Sequence, residues 1–328
     1  MLTEPVTSRR PGDDARGWRL FLPGIFLLLA LALAGCNGQN TFTRPGDEDG
    51  DFASLVDIGG GRKMYLECRG KGRPVVILES GFRNDADIWT AQLDEAHPKT
   101  MVLPGVAEFT RVCAYDRPGT ILDANNLSRS DPVPMPRNPA DIVADLHALL
   151  NAAHIPGPNV LVAHSLGGLF ARLYVSTYPD SVAGLVLVDA WPEGITELLD
   201  RDDWILFEEL VLNVPPGLEN YADLEVVDPG AASDLMRDAA ASSPLRPIPF
   251  IVLSRAVPLD LGPGLPPGFP ERVETAWQEG QKQLVALLPG TPQIVAAESS
   301  HYIQVMQPDL VINAVKQVMD EVRGEARP

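Results

Sequence analysis

Ser165 has the surroundings that most invite a chemical reading. It follows the apolar run Asn159-Val160-Leu161-Val162-Ala163 and His164, and it precedes Leu166-Gly167-Gly168 and a helical pattern. A strand, a serine flanked by small residues and then a helix is the setting of a nucleophile elbow. The turn is so sharp that residues two positions either side, here Ala163 and Gly167, must be small. Strain in that turn holds the hydroxyl above the sheet, and the helix that follows aims its N-terminal amides at the same point. A serine so placed is an acyl-transfer nucleophile once a base takes its proton, and histidine, titrating near neutrality, suits that task. Of the five histidines, His97, His147 and His154 fall at helix faces or ends, where a structural or solvated side chain is expected. His164 adjoins the serine, and backbone neighbours rarely face each other, so it is expected to support the turn. His301 lies in the polar stretch Glu298-Ser299-Ser300-His301 that follows the last strand-like run. No P-loop, no GxGxxG behind the first strand and no metal-ligand spacing occurs, so neither cofactor nor metal is implied.

The elements that must position these residues alternate between strand-like and helix-like segments with no internal repeat, as in an α/β fold. Candidate strands are 52–57, 63–68, 75–79, 111–115, 159–163, 184–188, 250–254 and 293–297. The middle ones are nearly continuous apolar runs, as expected of parallel strands covered on both faces. Candidate helices are 87–95, 140–153, 166–177, 274–288 and 310–323; the second places Ile142, Leu146, Leu149 and Leu150 on one stripe. Residues 118–139 read as a long loop, and 258–270 as a second Pro/Gly-rich one. Residues 191–247, acidic and amphipathic, are too long for a connection and too short for a separate core. They read as a helical lid inserted after the sixth strand. Trp191, Trp204, Ile205, Leu206, Phe207 and Leu210 make that lid apolar, which suits contact with an apolar acyl group or simple packing.

The chain of 328 residues is 45% apolar and 21% charged, ordinary globular composition, with a formal charge of −18 that excludes a nucleic-acid partner. Arg9, Arg10, Arg16 and Arg19 precede an apolar run from Leu20 to Gly35. That run is short of the ~20 residues a membrane span needs, but it fits the core of a secretory signal. It closes on Leu33-Ala34-Gly35-Cys36, which resembles a bacterial lipoprotein signal in which the cysteine is lipidated and becomes the new N-terminus. The alternatives are a signal peptide with an incidental cysteine and a short anchor helix. The expected organisation is therefore a signal in 1–35, a lipid-anchored tether in 36–51 and one domain in 52–328. The expected location is the cell envelope through Cys36, or secretion if Cys36 is unmodified.

Ala163-His164-Ser165-Leu166-Gly167-Gly168 resembles the elbow of esterases and lipases of the α/β-hydrolase fold, with Ala163 in place of the usual first glycine. The likeness runs from about Phe52 to Val322 and implies an eight-stranded, mostly parallel sheet with helices on both faces. By this resemblance Ser165 is the nucleophile, His301 after the last strand is the base, and the backbone N–H groups of Leu166 and Phe82 form the oxyanion hole. The Phe82 loop reads Ser80-Gly81, where relatives usually carry His-Gly. The acid is commonly found after the seventh strand, where this chain has Ser254-Arg255-Ala256-Val257 and no carboxylate before Asp260. A minority of the family places it after the sixth strand, where Asp189 stands; Asp189 is favoured over Asp260, with Glu193 an outside choice. Tyr115-Asp116-Arg117-Pro118-Gly119 is expected to form a buried ion pair on the floor of the site. In this fold the second and fourth strands are neighbours, so Cys68 and Cys113 are expected to form a disulfide. The implied function is hydrolysis of a small-molecule carboxylic ester through an acyl-enzyme. Amidase, peptidase or lactonase activity, or a ligand-binding lipoprotein without catalysis, are the alternatives.

Overall fold

A computed structural model describes residues 50–325. The expected signal segment, Cys36 and the expected tether up to residue 49 lie outside the described residues. Eight strands form one sheet: β1 (Phe52–Gly59), β2 (Arg62–Arg69), β3 (Val76–Glu79), β4 (Val112–Tyr115), β5 (Asn159–His164), β6 (Val182–Val188), β7 (Phe250–Arg255) and β8 (Gln293–Ala296). Their order is β1-β2-β4-β3-β5-β6-β7-β8. The β1–β2 and β2–β4 pairs are antiparallel and the rest parallel. Cys68 of β2 lies opposite Cys113 of β4, and the two are joined as a disulfide.

The helices are α1 (Val102–Ala107), α2 (Pro139–Ala152), α3 (Leu166–Thr177), α4 (Ile195–Leu198), α5 (Arg201–Leu212), α6 (Pro229–Ser242), α7 (Phe269–Val285), α8 (Ile303–Met306) and α9 (Pro308–Arg323). The continuous apolar runs of the central strands follow from burial on both faces. Ile77, Leu161, Ala163, Leu185 and Leu187 join a core with α2, α3 and α7. Their alternating neighbours Val76, Leu78, Val160, Val162, Val186 and Val188 join a second core with α1 and α9. In α2, Asn138 caps the first turn by accepting from the Ala140 N–H at 2.9 Å, and Pro139 sits where its missing N–H costs nothing.

Three elements depart from the sequence reading. The helix expected over 87–95 is a single 3₁₀ turn, Ala86–Trp89, closed by the Thr90 N–H on the Asp87 carbonyl. Beyond it the Gln92 side chain bonds the main chain of Lys99 at 2.6 and 3.1 Å, which pulls the chain into a loop. Helix α1 was not among the expected helices, and it holds Pro104 and Gly105; yet Gly105 is where α9 packs, and a Cβ there would meet Ile312 at 2.5 Å. Helix α7 begins at Phe269, five residues before the expected start, since Pro270 occupies the first turn, where proline is tolerated. Between β6 and β7 the chain leaves the sheet and returns through α4, α5 and α6.

Candidate active site

Ser165 joins β5 to α3 with φ 53° and ψ −130°, in the left-handed half of backbone space that a non-glycine residue enters only under constraint. The constraint is visible. Its N–H donates to the Val188 carbonyl at 3.2 Å, and its own carbonyl accepts from Gly168 and Trp191 at 2.9 and 2.8 Å. The small residues are required by contact. A Cβ at Gly167 would fall 2.3 Å from the Ser80 carbonyl oxygen, and one at Gly168 would fall 2.4 Å from Ala190 Cβ.

Parallel pairing sets His164 against Val188, so the residues that follow, Ser165 and Asp189, emerge side by side at the C-terminal edge of the sheet. His301 arrives from the segment between β8 and α8. Its Nε2 stands 2.9 Å from Ser165 Oγ and its Nδ1 2.6 Å from Asp189 Oδ2. This is a chain of hydrogen bonds from hydroxyl to imidazole to carboxylate. Asp189 is fully buried. It also accepts from Arg255 Nη1 at 2.6 Å, from the Arg255 N–H at 3.3 Å and from Trp277 Nε1 at 3.0 Å. Burial alone would raise its pKa, but the Arg255 guanidinium and His301 overcome this and hold the carboxyl below the usual carboxylate range. Arg255 is itself secured by Glu274 at 2.7 Å.

Asp260 is exposed, its Oδ1 accepting from the Gly262 N–H at 2.9 Å, and it does not meet His301. Glu193 pairs with Arg172. His164 supports the site from behind: its Nε2–H donates to the His301 carbonyl at 2.9 Å, and its ring lies 4.6 Å from that of His301. Burial, and then the neighbouring His301, push its pKa down to about 3, so it is neutral near pH 7. The glycine at Gly81 is explained by the same ring, since a Cβ there would sit 2.7 Å from His164 Nδ1.

Phe82 and Leu166 line the cavity that Ser165 and His301 share, and no hydrogen bond within the described residues engages either backbone N–H. Most of the wall is apolar, with Trp191 from just beyond β6, Trp277 from α7 and Phe207, Leu210 and Val211 from α5. Trp204 does not line it. It packs behind, edge-on to Trp191 and Phe207 at 6.3 and 6.4 Å between centroids, because its position on α5 turns it away from the opening. Asp116 and Arg117 do not pair with each other but join separate ion-pair clusters, of which only that of Arg117 is fully buried. Asp116 binds Arg129 at 2.7 Å, while Arg117 bridges Glu79 at 2.6 Å and Glu225 at 2.7 Å. Arg255, Trp277 and Glu225 were not anticipated from sequence; Arg255 had registered only as the absence of an acid after β7.

A family model described as the alpha/beta hydrolase fold matches residues 74–240, just over half of the chain. Among solved structures, an esterase from Thermogutta terrifontis is similar with a TM-score of 0.51 at 19% identity, covering 82% of this chain and 98% of that one. A carboxylesterase of Bacillus subtilis gives 0.52 at 16%, covering 82% and 92%. At these identities the likeness speaks to the fold. A pimeloyl-[acyl-carrier protein] methyl ester esterase of Chromobacterium violaceum is 43% identical over 136 residues, 41% of this chain and 43% of its own length. An uncharacterised protein of Schizosaccharomyces pombe is 28% identical over 146 residues, 39% of this chain. The chain spans 26% and 17% of the length of the first curated relatives it matches.

Proposed function

Since the chain belongs to the α/β-hydrolase fold family, we propose that it is a serine hydrolase that cleaves carboxylic esters of small molecules through an acyl-enzyme. The observation that carries this reading is the unbroken chain Ser165 Oγ–His301–Asp189 opening on an apolar cavity.

In this reading His301 Nε2 takes the Ser165 hydroxyl proton as Oγ bonds to the ester carbonyl carbon. The carbonyl oxygen becomes an oxyanion, received by the N–H groups of Phe82 and Leu166. Collapse of the tetrahedral intermediate breaks the bond to the alkoxy oxygen, which leaves as the alcohol with the proton from His301. Water then gives a proton to His301 and attacks the acyl carbon. The second collapse returns that proton to Ser165 Oγ and frees the carboxylic acid. Asp189, ionised because Arg255 holds it so, fixes Nδ1–H as donor and stabilises the imidazolium in both halves. A neutral His164 adds no repulsion to that cation. The apolar wall of Trp191, Phe207, Leu210 and Val211 favours an apolar acyl group.

Ser165→Ala tests the reading. The variant is expected to lose labelling by an alkyl fluorophosphonate and at least ~10³ of p-nitrophenyl ester turnover, with an unchanged melting profile. Labelling that survives the substitution sinks it. We extend the proposal to location, on the sequence of residues 9–36 alone: export, then anchoring at the cell envelope through lipidated Cys36.

A further inference from the structure

The peptide unit that carries the Phe82 N–H is gripped from its opposite end. Its carbonyl, that of Gly81, accepts from Arg117 Nη2 at 2.7 Å and from the Asn84 N–H at 3.0 Å. The Ser80 carbonyl accepts from Arg117 Nη1 at 2.8 Å. In a trans peptide the C=O and N–H point in opposite directions, so fixing the Gly81 oxygen aims the Phe82 N–H. The next N–H, that of Arg83, donates to Glu225 Oε2 at 2.6 Å. Glu225 takes Arg117 as well, at Nε and Nη2, at 2.7 and 3.1 Å.

Glu225 is not part of the sheet. It lies in the excursion between β6 and β7 that also supplies α5. The Arg83 side chain runs back to the same excursion, donating to the carbonyls of Leu212 and Asn213 at the end of α5 at 3.3 and 2.7 Å and to the Glu225 carbonyl at 3.1 Å. Arg83 holds φ 60°, a conformation that persists only where its surroundings enforce it. Arg83, Arg117 and Glu225 are each at most 3% exposed, so water does not substitute for any of these bonds. Thus the wall of the cavity and the donor at its floor hang on one cluster, which with Glu79 contains two arginines and two glutamates.

Resting on the serine-hydrolase reading, we propose that Arg83, Arg117 and Glu225 are positioning residues that aim the Phe82 N–H at the oxyanion, so that docking of the β6–β7 excursion completes the oxyanion hole. The cluster then acts on the chemical step and not merely on the stability of the excursion. Geometry is separable from charge. Glu225→Gln leaves the cluster one unit more positive beside the oxyanion, and Arg83→Met leaves it one unit more negative. A contribution through net charge moves kcat in opposite directions in the two variants. A contribution through aim lowers it in both.

The experiment measures kcat and KM for a p-nitrophenyl ester, normalised to sites titrated with a fluorophosphonate, and Ki for an alkyl boronic acid. The boronic acid forms a tetrahedral adduct on the serine and so needs the oxyanion donors. Removing one such donor outright costs ~10²–10³ in kcat. A misaimed donor is therefore expected to cost about 10–100-fold in both variants, with KM within about threefold and boronate affinity falling in parallel. Arg83→Lys keeps the charge and, as the mildest change, guards against failure to fold; about a tenfold loss is expected because an ammonium cannot span the three carbonyls. Undiminished kcat per titrated site in the variants, or opposite signs for Glu225→Gln and Arg83→Met, overturns the clamp alone. A parent protein that neither turns over the ester nor takes the fluorophosphonate overturns the hydrolase reading and the clamp with it.

Discussion

Replacing Asp189 by asparagine removes one negative charge and turns one acceptor into a donor at a place where four donors converge. One oxygen faces His301 Nδ1 and Arg255 Nη1, both at 2.6 Å; the other faces Trp277 Nε1 at 3.0 Å and the Arg255 N–H at 3.3 Å. Either orientation of the amide therefore sets its NH₂ against a donor. With NH₂ toward His301, Nδ1 cannot donate, the ring carries its proton on Nε2 and no base faces Ser165; that state costs ~10³–10⁴ in turnover. With the amide oxygen toward His301 the tautomer survives, but the imidazolium loses its counter-charge. At about 4 Å and an effective dielectric near 20 that attraction is about 4 kcal/mol, or about a thousandfold. Both routes converge on a loss of at least ~10³ in kcat per active site. Stability falls as well, because Arg255 is buried and keeps only Glu274; losing one partner of a buried pair costs about 3–5 kcal/mol, with the remaining carboxylate placing this case near the lower figure. A carboxyl whose pKa is depressed by folding adds stability above its unfolded pKa, ~3.9, and that contribution is lost as the pH falls through the folded value. The difference in melting temperature between parent and variant should accordingly be full at pH 6 and shrink in strong acid. Ester turnover normalised to fluorophosphonate-titrated sites separates the two effects, with Asp260→Asn as the control expected to cost under tenfold. A loss below tenfold in Asp189→Asn, or a greater loss in Asp260→Asn, refutes the assignment.

Two further outcomes are expected. Asp85 has its pKa raised to about 8 by burial and then by Asp87 and Asp116. A carboxyl raised by folding gives stability that is present below the unfolded pKa and is lost as the pH climbs through the folded one, here between about pH 4 and 8. Asp85→Asn, which retains the oxygen that accepts from the Asp87 N–H, should melt at the parent's temperature near pH 4 and above it at pH 8.5 in scanning calorimetry; equal melting at both values contradicts the argument. For the anchor, Cys36→Ser should move the protein from the membrane pellet to the soluble fraction or leave its precursor uncleaved, and unchanged retention with normal cleavage would remove the lipoprotein proposal.

What could be read in the sequence follows from how many residues a feature spans and how near its partners lie. The sheet was legible because each inner strand is an uninterrupted apolar run whose alternate members serve two cores, a demand on every residue. The turn at Ser165 was legible because backbone oxygens and a neighbouring Cβ exclude side chains at Gly167 and Gly168. Asp189 could be favoured because adjacent parallel strands bring residues that follow them together whatever the side chains are. Helix α1 was lost because Gly105, a poor helix former, answers to the packing of α9 and not to helix propensity. Arg255 and Glu225 were lost for a different reason. A charged residue near a strand end or in an acidic excursion reads as solvated, and only a count of the opposite charges buried around it shows otherwise. Arg255 illustrates how far that inverts a reading. The end of β7, beyond which no acid could be found, holds instead the cation that keeps Asp189 after β6 ionised, so the missing carboxylate and the guanidinium in its stead are one structural fact. Glu225 is separated from Arg117 by 108 residues and from Arg83 by 142, and its neighbours in sequence include the exposed Glu219 and the half-buried Asp223. What distinguishes it is burial at 1% exposure between two arginines, of which Arg117 bonds the Ser80 and Gly81 carbonyls and Arg83 those at the end of α5. An ion pair across an insertion leaves no local pattern, because its members are matched by the closed fold and by nothing nearer.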